Sequence, residues 1–567
     1  MILNIGRRRV WPLLVVALLV ACASDPPAEV RDRPNILLVV ADDLGFSDIS
    51  PFGSEIDTPT LAALADEGLI ATSFYVSPRG ASTRVMLLTG ADHHLAGFGG
   101  VPGQLPPEAV GRPGYENHLN DRVVSVASLL RDSGYHTYMV GKWELGHEPG
   151  QRPHERGFER SLALLDPMAS HWGDMASAMR DDGPARYSRD GVPLESLPDD
   201  WYSTRSFADE LITQIDTDRG DGRPFFAYLA FQAPHSPLSV PEDWLDRTEG
   251  RYDRGFQVLQ QRRLNALQRS KLVGRDVVPF PGLPTIPTWS TLGEEEQKRQ
   301  ARKMELYAAM VENMDFHLGR VLEHLESIGE REHTLVVFLS DNGASASDRG
   351  PTGIDPGYEW LETSFPDSSF ENWGRPGSFV EPGSGWGQTS SVPFRMFKDT
   401  FGEGGIRVPL VVSGPGVVRR RWLSNTPPRG VVDSVVHVSD LPATFLDIAG
   451  VAYPREYEGR SIAPSDGLSL VPILAGREKS LRDETPIGFE LGGDRALRKG
   501  VWKIVRMKRP LGTGSWRLYR LDRDPSELYD KAAAEPERLA ELMQEWEEYA
   551  DSHNVMIVPD EVSAESR

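Results

Sequence analysis

Continuous apolar runs that end in polar clusters recur along this chain. The first run, Asn35–Ala41, is followed at once by Asp42 and Asp43. Three further runs share this layout, at residues 136–140, 224–231 and 334–340. Such runs are typical of buried parallel strands, and open α/β sheets bind ligands at the carboxyl ends of their strands. The pattern therefore predicts an α/β fold with a mixed, largely parallel central sheet and one polar site along its edge.

Helical periodicity fills most of the sequence between these runs. The longest predicted helix covers 291–327, and Thr291-x-x-Glu294 is read as a capping box at its start. Shorter helices are predicted over 58–65, 121–132 and 439–449. In segments 251–289 and 350–392 the apolar residues follow neither a helical nor a strand periodicity. The second is rich in aromatic residues, and we expect it to form a lid that faces substrate.

The pattern changes after about residue 476, where short apolar runs precede one amphipathic segment, 535–549. These runs predict antiparallel strands, and the amphipathic segment predicts a terminal helix. The chain is therefore expected to have a catalytic-type domain over 34–480 and a small C-terminal α+β subdomain over 481–567.

The first 22 residues are predicted to be a targeting segment. Basic residues precede an apolar run, 10–21, that is short for a transmembrane helix. The run ends in Leu19-Val20-Ala21-Cys22, which resembles a bacterial lipobox. We expect lipidation of Cys22, a tether over 23–33, and export to the cell envelope, with the outer membrane as the expected destination. A plain secretory signal is the alternative.

Charge and cysteine content narrow the possible partners. The formal net charge of −22 argues against nucleic acid or anionic lipid as a partner of the folded body. Contact with a membrane is therefore expected through the N-terminal anchor only. Cys22 is the only cysteine in the chain, so no internal disulfide stabilises the exported body.

Four oxygen donors follow two of the predicted strands: Asp42, Asp43, Asp341 and Asn342. No thiolate is available in the body, and no histidine is adjacent to these residues in the sequence. Hard oxygen ligands of this kind favour Ca²⁺ or Mg²⁺ over zinc. We expect a calcium site, with magnesium as the less favoured ion.

Four further residues supply positive charge or hydrogen-bond donors: Arg84, Lys142, His235 and Lys398. Fixed cations aimed at a developing anion stabilise a transition state, and a protonated His235 could protonate a leaving group. Considered singly, a lysine is more often a surface residue whose apolar stem is buried, and a histidine is more often hydrogen-bonded in the core.

Several motifs together resemble those of the type I sulfatases, the arylsulfatase family of the alkaline phosphatase superfamily. They include NILLVVADD, R-x-M-L-L-T-G from Arg84 to Gly90, V-G-K-W-x-L-G, A-P-H-S-P-L, S-D-N-G-A and F-x-E-G-G-I-R-V-P. The resemblance spans 34–555 and is pronounced for the large bacterial arylsulfatases. It implies the alkaline phosphatase type of fold and hydrolysis of sulfuric esters. It also implies calcium bound by Asp42, Asp43, Asp341 and Asn342.

The same resemblance implies that Arg84, Lys142, His235 and Lys398 bind a small-molecule sulfate ester. Two positions depart from the family pattern. The family signature C-x-P-x-R carries a Cys that is oxidised to formylglycine, the nucleophile, and Gly80 stands at that place. Glu144 replaces the His of G-K-W-H-L-G, which helps deprotonate the hydrated formylglycine. No formylglycine is expected in this chain.

These departures leave three interpretations open. In the first, the chain is an inactive, lipid-anchored pseudo-sulfatase that binds calcium and a sulfated ligand. In the second, a water in the space left by Gly80 attacks the ester, and Glu144 acts as its base. In the third, Ser77, Ser82 or Thr83 is the nucleophile, although none is in register. Phosphate and phosphonate esters also remain possible substrates.

Overall fold

The predicted apolar runs form the strands of a central sheet in the computed structural model. The structure describes residue 1 and residues 33–101, 103–179, 183–348, 360–418 and 430–557. The strands of this sheet are β1 (Asn35–Ala41), β2 (Leu69–Tyr75), β3 (His136–Lys142), β4 (Arg160–Leu164), β5 (Tyr187–Arg189), β6 (Val192–Leu194), β7 (Phe225–Ala230), β8 (Thr334–Ser340), β9 (Arg407–Ser413), β10 (Val431–Val432) and β11 (Val436–His437).

The middle of the sheet is parallel, and its flanks are mixed. The strand order is β10-β2-β9-β8-β1-β7-β3-β4-β5-β6, with β11 also paired to β2. Strands β8, β1, β7, β3 and β4 run parallel, whereas β9 is antiparallel to both of its neighbours. The prediction of a mixed, largely parallel sheet is therefore confirmed. The parallel run brings the carboxyl ends of β1, β3, β7 and β8 to one edge.

Helices cover both faces of this sheet. They are α1 (Pro59–Glu67), α2 (Gly80–Thr89), α3 (His93–Ala96), α4 (Val126–Asp132), α5 (Ser203–Asp218), α6 (Gly255–Arg269), α7 (Glu294–Ser327), α8 (Trp360–Ser364), α9 (Ser384–Ser390), α10 (Glu403–Ile406), α11 (Asp440–Ala449) and α12 (Val471–Leu474). Alternate residues of β1 pack into two separate cores: Leu37 and Val39 face the layer of α5 and α7, and Ile36 and Leu38 face that of α2, α4 and α11. Burial on both faces explains why β1 is apolar throughout.

A second, antiparallel sheet follows near the C-terminus, as the change of pattern predicted. It contains β14 (Ile487–Leu491), β15 (Asp494–Lys499), β16 (Trp502–Arg506) and β17 (Arg517–Arg520), and the hairpin β12 (Glu456–Tyr457) and β13 (Arg460–Ser461) precedes it. Helix α13 (Pro536–Ser552) packs Leu542 and Trp546 against this sheet. Residues 33–567 form one compact unit.

Three local predictions were wrong. Segment 251–289 contains a helix, α6, whose apolar residues are diluted by Gln and Arg. Helix α7 begins at Glu294 without a side-chain cap, because Thr291 lies in a preceding 3₁₀ turn and donates its hydroxyl to Thr288. The expected lid aromatics Trp373 and Trp386 are 5% and 1% exposed and belong to the core.

Among the described residues, no helix is both long enough and apolar enough to cross a bilayer. The predicted signal segment, the lipidation site Cys22 and the tether up to residue 32 lie outside the described residues.

Candidate active site

Two adjacent strand ends bring four predicted metal ligands together. Ala41 at the end of β1 pairs with Ser340 at the end of β8, so the residues that follow both strands are neighbours. Asp43 N donates to Asp341 Oδ1 at 3.2 Å, and Asn342 Nδ2 donates to Asp43 Oδ1 at 2.7 Å. These residues and Asp42 are at most 1% exposed. The sheet register alone thus assembles a buried set of oxygen donors.

Three cations lie against these carboxylates. Lys142 Nζ is 2.7 Å from Asp42 Oδ2, and Lys398 Nζ is 2.6 Å from Asp43 Oδ1. Arg84 Nη2, from α2, is 2.7 Å from Asp341 Oδ2. Each cation therefore has a different carboxylate as its nearest partner.

Electrostatics keep these groups ionised despite their burial. Burial opposes the charge of both lysines, yet Asp42 raises the pKa of Lys142, and Asp43 raises the pKa of Lys398. Burial likewise favours a protonated Asp43, but Lys398 and His235 bring the pKa of this carboxyl below its usual value. The site is therefore a cluster of paired charges, held out of water.

Several oxygen atoms of the cluster remain without a hydrogen-bond partner. Among the described residues these buried atoms include Asp42 Oδ1, Asp43 Oδ2 and Asn342 Oδ1. Buried polar atoms are rarely unpartnered, and carboxylate and amide oxygens are the ligands that hard divalent cations prefer. The donor set fits such a cation.

His235 lies closer to this cluster than the sequence indicated. Its Nε2 is 3.5 Å from Asp43 Oδ2, and with Asp42 and Asp43 it forms a group whose ligand atoms lie within 4.8 Å of one another. Its Nδ1 is 2.8 Å from the Ser236 carbonyl, which makes Nδ1 the donor of that bond and directs Nε2 at Asp43. The spacing of His235 along the sequence did not indicate this proximity.

Gly80 and Glu144 meet at the N-terminus of α2. A Cβ atom added to Gly80 would lie 2.6 Å from Asp341 Oδ2 and 2.9 Å from Glu144 Oε2. The Glu144 Oε2 atom is itself 3.2 Å from Lys142 Nζ and 3.6 Å from Arg84 Nε. Two carboxylate oxygens thus stand where the sequence suggested a void beside Gly80.

The three hydroxyls considered as replacement nucleophiles are buried. Thr83 Oγ1 accepts from Ser77 N and donates to Ser77 O, which closes the turn before α2. Ser77 Oγ has no hydrogen-bond partner, and Ser82 is 2% exposed. Thr83 therefore has an evident structural role at this helix start.

Supporting residues complete the site, and sequence patterns did not reveal them. His171 Nε2 donates to the His235 carbonyl at 3.0 Å, and Ser203 Oγ is 2.7 Å from His171 Nδ1. Burial lowers the pKa of His171 to about 4, so this ring is neutral. Tyr228 OH accepts from Arg84, and Tyr307 OH donates to Asp48 Oδ2 at 2.7 Å and lies 3.3 Å from the Asp43 carbonyl. Their local sequences, such as the apolar stretch around Tyr228, give no signal that distinguishes a site from a core.

The chain as a whole is similar to known proteins. The family model described as Sulfatase matches residues 34–451. An uncharacterized sulfatase of Schizosaccharomyces pombe is 37% identical over 94% of this chain and 96% of its own length. The arylsulfatase of Klebsiella aerogenes is 36% identical over 83% of this chain and 98% of its own length.

Solved structures show the same fold at lower sequence identity. Ps i-CgsB, solved with k-i-k-neocarrahexaose, has a TM-score of 0.63 and 22% identity, with 92% of this chain and 94% of that chain covered. The PsFucS1 sulfatase from Pseudoalteromonas sp. has a TM-score of 0.60 and 20% identity, with 92% and 91% covered. The family generally uses a divalent metal, which agrees with the acidic cluster described above. The chain belongs to the sulfatase family, the type I sulfatases of the alkaline phosphatase-like fold, and by that resemblance its reaction class is sulfate ester hydrolysis.

Proposed function

We propose that this chain holds calcium and a sulfated small molecule in the sulfatase site, without formylglycine-dependent turnover. The observation that carries the proposal is Gly80. It has no side chain from which an aldehyde could form, and carboxylate oxygens of Asp341 and Glu144 lie against its Cβ position. The nucleophile of the family reaction therefore has neither a precursor nor space.

The donor set supports calcium as the bound ion. Asp42, Asp43, Asp341 and Asn342 would hold it through hard oxygens, and three of their oxygens have no hydrogen-bond partner. Calcium accepts six to eight such ligands in a flexible geometry, whereas magnesium requires a strict octahedron. When bound, the ion would supply fixed positive charge next to the ligand's anionic group.

The balance of charge supports a monoanionic ligand. Asp42, Asp43, Asp341 and Glu144 bring four negative charges, and Arg84, Lys142 and Lys398 bring three positive charges. A divalent cation leaves one net positive charge, which a sulfate monoester neutralises. This count takes His235 as neutral, and a phosphate monoester dianion would then leave a buried excess charge, which is costly without compensation.

The residues around the ligand have separate tasks. Lys142 and Lys398, which are 2% and 18% exposed in their side chains, present ammonium groups to the non-bridging oxygens. Arg84 is fully buried and orients Asp341. His235 Nε2, at the rim of the cluster, is placed to donate to the ester oxygen when protonated.

Structural neighbours suggest the class of ligand. One similar structure was solved with its substrate D-glucosamine-2-N,6-O-disulfate. It matches this chain with a TM-score of 0.56 and 20% identity, and the match covers 94% of this chain and all of that chain. Ps i-CgsB was solved with an oligosaccharide. We therefore propose a sulfated sugar as the physiological ligand class.

A second candidate function is hydrolysis by water with Glu144 as general base. One observation favours it: Glu144 Oε2 is buried, has no hydrogen-bond partner, and lies beside Lys142 and Arg84. A water would have to enter between Glu144 and the ligand. Calcium lowers the pKa of water less than zinc does, so this route would be slow.

An aryl sulfate assay separates the two candidates. Purified full-length protein in detergent is given calcium and 4-nitrophenyl sulfate, with 4-nitrophenyl phosphate and a Lys142→Ala variant beside it. The proposal predicts calorimetric binding of the sulfate, loss of binding in Lys142→Ala, and no turnover. Turnover that Lys142→Ala abolishes would favour the water route. Absence of both binding and turnover would contradict both candidates.

We also propose that Cys22 is lipidated and holds the exported body in the bacterial cell envelope, at the outer membrane. The lipobox-like sequence before Cys22 supports this location. Wild-type protein should partition into the detergent phase of Triton X-114, and Cys22→Ser should move to the aqueous phase. Detergent partition of both proteins would contradict lipidation at Cys22.

A further inference from the structure

Glu144 has an unusual backbone and an unusual environment for a carboxylate. Its φ is +61°, a left-handed conformation that a non-glycine residue adopts at an energetic cost. This conformation comes two residues after Lys142 and turns the side chain inward, where it is 15% exposed. Strain of this kind persists where the surrounding structure requires a specific orientation.

The inward carboxylate keeps one oxygen without a hydrogen bond. Lys142 Nζ, its nearest cation at 3.2 Å, donates its short hydrogen bond to Asp42 Oδ2, at 2.7 Å. Arg84 gives its short bonds to Asp341 Oδ2, at 2.7 and 3.1 Å. Glu144 Oε2 is thus buried near two cations that are already paired with other carboxylates. Asp42 Oδ1, Asp43 Oδ2 and Asn342 Oδ1 of the acidic set described above likewise have no hydrogen-bond partner.

Glu144 and Asp341 converge on a single point. Their Oε2 and Oδ2 atoms are 2.9 and 2.6 Å from the Cβ position of Gly80. Like charges that face one another across so small a space repel strongly in a buried site. Arg84 Nε, 3.1 Å from Asp341 Oδ2 and 3.6 Å from Glu144 Oε2, offsets part of this repulsion. A divalent cation next to both oxygens would offset more of it, and the nucleophile of a sulfatase would have stood at the same place.

We infer that Glu144 Oε2 is a ligand of the bound cation and takes the place of the missing nucleophile oxygen. This inference rests on the proposed calcium site and deepens it. The replacement of the family Cys by Gly80 and of the family His by Glu144 then has a single physical explanation. An oxygen is lost from α2 and is supplied from the end of β3, so the number of oxygen ligands is kept.

Calcium titration with matched variants tests this role without any need for activity. Calorimetry is run on full-length protein with Glu144→Gln, which keeps the reach but removes the charge, and Glu144→Asp, which keeps the charge but shortens the reach. Glu148→Gln is the control, because Glu148 is 64% exposed and lies four residues on. We expect both Glu144 variants to bind calcium at least about tenfold more weakly, since charge and position of a ligand set affinity.

Glu144→Asp separates ligation from long-range charge. Equal affinity in Glu144→Asp and wild type would overturn the inference, because charge alone would then explain the effect of Glu144→Gln. Failure of wild type to bind calcium would instead refute the proposed function, so the two failures are distinguishable. Circular dichroism confirms that each variant is folded.

Terbium luminescence gives a second, independent measurement. Tb³⁺ replaces Ca²⁺ at oxygen sites. The luminescence lifetimes of the bound ion in H₂O and in D₂O report how many water molecules coordinate it. Loss of a protein ligand should add about one water in Glu144→Asp and none in Glu148→Gln. An unchanged hydration number in both Glu144 variants would overturn the inference.

Discussion

The Glu144 carboxylate fills the space that a side chain in place of Gly80 would need, although the two residues lie 64 positions apart in the sequence. A Cβ at position 80 would stand 2.9 Å from Glu144 Oε2, closer than real Cβ atoms approach an oxygen. Asp341 Oδ2 would be closer still, at 2.6 Å, so any residue other than glycine at position 80 must displace both Glu144 and Asp341. The two departures from the family pattern are a single structural change.

This relationship predicts strong coupling between the two positions. Gly80→Ala should lower the free energy of unfolding by about 1–3 kcal/mol through overpacking, and Glu144→Ala in the same chain should recover part of that loss, since the contact with Asp341 Oδ2 at 2.6 Å remains. Thermal or urea unfolding of the two single variants and the double variant measures the coupling. Gly293→Ala is the control, since a Cβ there meets nothing within 4 Å. Additive effects of the two substitutions would contradict the steric relationship.

Restoring the family residues together should restore the family reaction. We expect Gly80→Cys, Ser82→Pro and Glu144→His, co-expressed with a formylglycine-generating enzyme, to hydrolyse an aryl sulfate. Mass spectrometry of the peptide around position 80 reports whether the aldehyde formed. The same variant without the maturing enzyme should be inactive. If the aldehyde forms and calcium binds but no hydrolysis follows, the assignment of Lys142, Lys398 and His235 to the sulfate group is wrong.

Calcium should stabilise the folded chain, because unpartnered oxygens of Asp42, Asp43 and Asn342 face one buried space. A ligand that binds only the folded state adds about 2.7 kcal/mol when its concentration is 100 times Kd. We expect chelation to lower the melting temperature, and excess calcium to restore it further than magnesium does. Asp42→Asn should keep the fold but lose most of this response. Full response in Asp42→Asn would place the ion elsewhere.

A buried histidine should make stability depend on alkaline pH. Burial disfavours the charge of His94, but Asp92 and Glu490, at 2.8 and 2.9 Å, raise its pKa to about 9. A base whose pKa is raised by folding stabilises the protein below its unfolded pKa of about 6.5, and this stabilisation is lost as pH rises through 9. His553, with a pKa also of about 9, titrates in the same range.

The melting temperature of wild type should therefore fall between pH 7 and 9.5 at constant ionic strength. His94→Gln should flatten this decline, because only the contribution of His553 remains. His154→Gln, at an exposed position, serves as the control and should follow wild type. A profile of His94→Gln parallel to that of wild type would show that His94 is not charged in the folded protein.

Sequence reasoning predicted the sheet and the position of the site because both follow from continuous apolar strands. The run Asn35–Ala41 is β1 residue for residue, and the polar pair after it lies at the expected edge. Neither helix α6 nor the burial of Trp386 was predicted. The Trp386 ring packs 4.7 Å from Phe256 and 5.8 Å from Tyr252, in segments whose own structure was not predicted.

Contacts between distant segments account for the rest. Nothing local to Glu144 indicates that it stands against Gly80, and nothing local to His235 indicates its approach to Asp43. Both contacts arise because parallel strands bring their ends to one edge, from which separate loops then turn inward. Residue type and spacing identified which residues belong to the site, whereas the distances between them required the three-dimensional fold.

The C-terminal sheet is joined to the site through buried charges. Lys503 Nζ, on β16, lies 2.8 Å from Glu403 Oε1 and 3.0 Å from Glu527 Oε1, and all three side chains are fully buried. Glu403 begins α10, five residues after Lys398. The second sheet therefore supports the segment that carries a proposed sulfate ligand.

Lys503→Met should leave Glu527 buried without its cation and Glu403 with the more distant Arg407, at 3.4 Å, and should lower the free energy of unfolding by about 3–5 kcal/mol. Urea unfolding measures this loss, and Lys531→Met at an exposed position is the control. Glu527→Gln added to Lys503→Met should recover part of the loss, because it removes the unpaired charge. Because Glu403 is close in sequence to Lys398, Lys503→Met should also weaken binding of an aryl sulfate. Wild-type stability in Lys503→Met would mean that the two carboxylates are neutral in the folded protein, and that the second sheet is held by apolar packing alone.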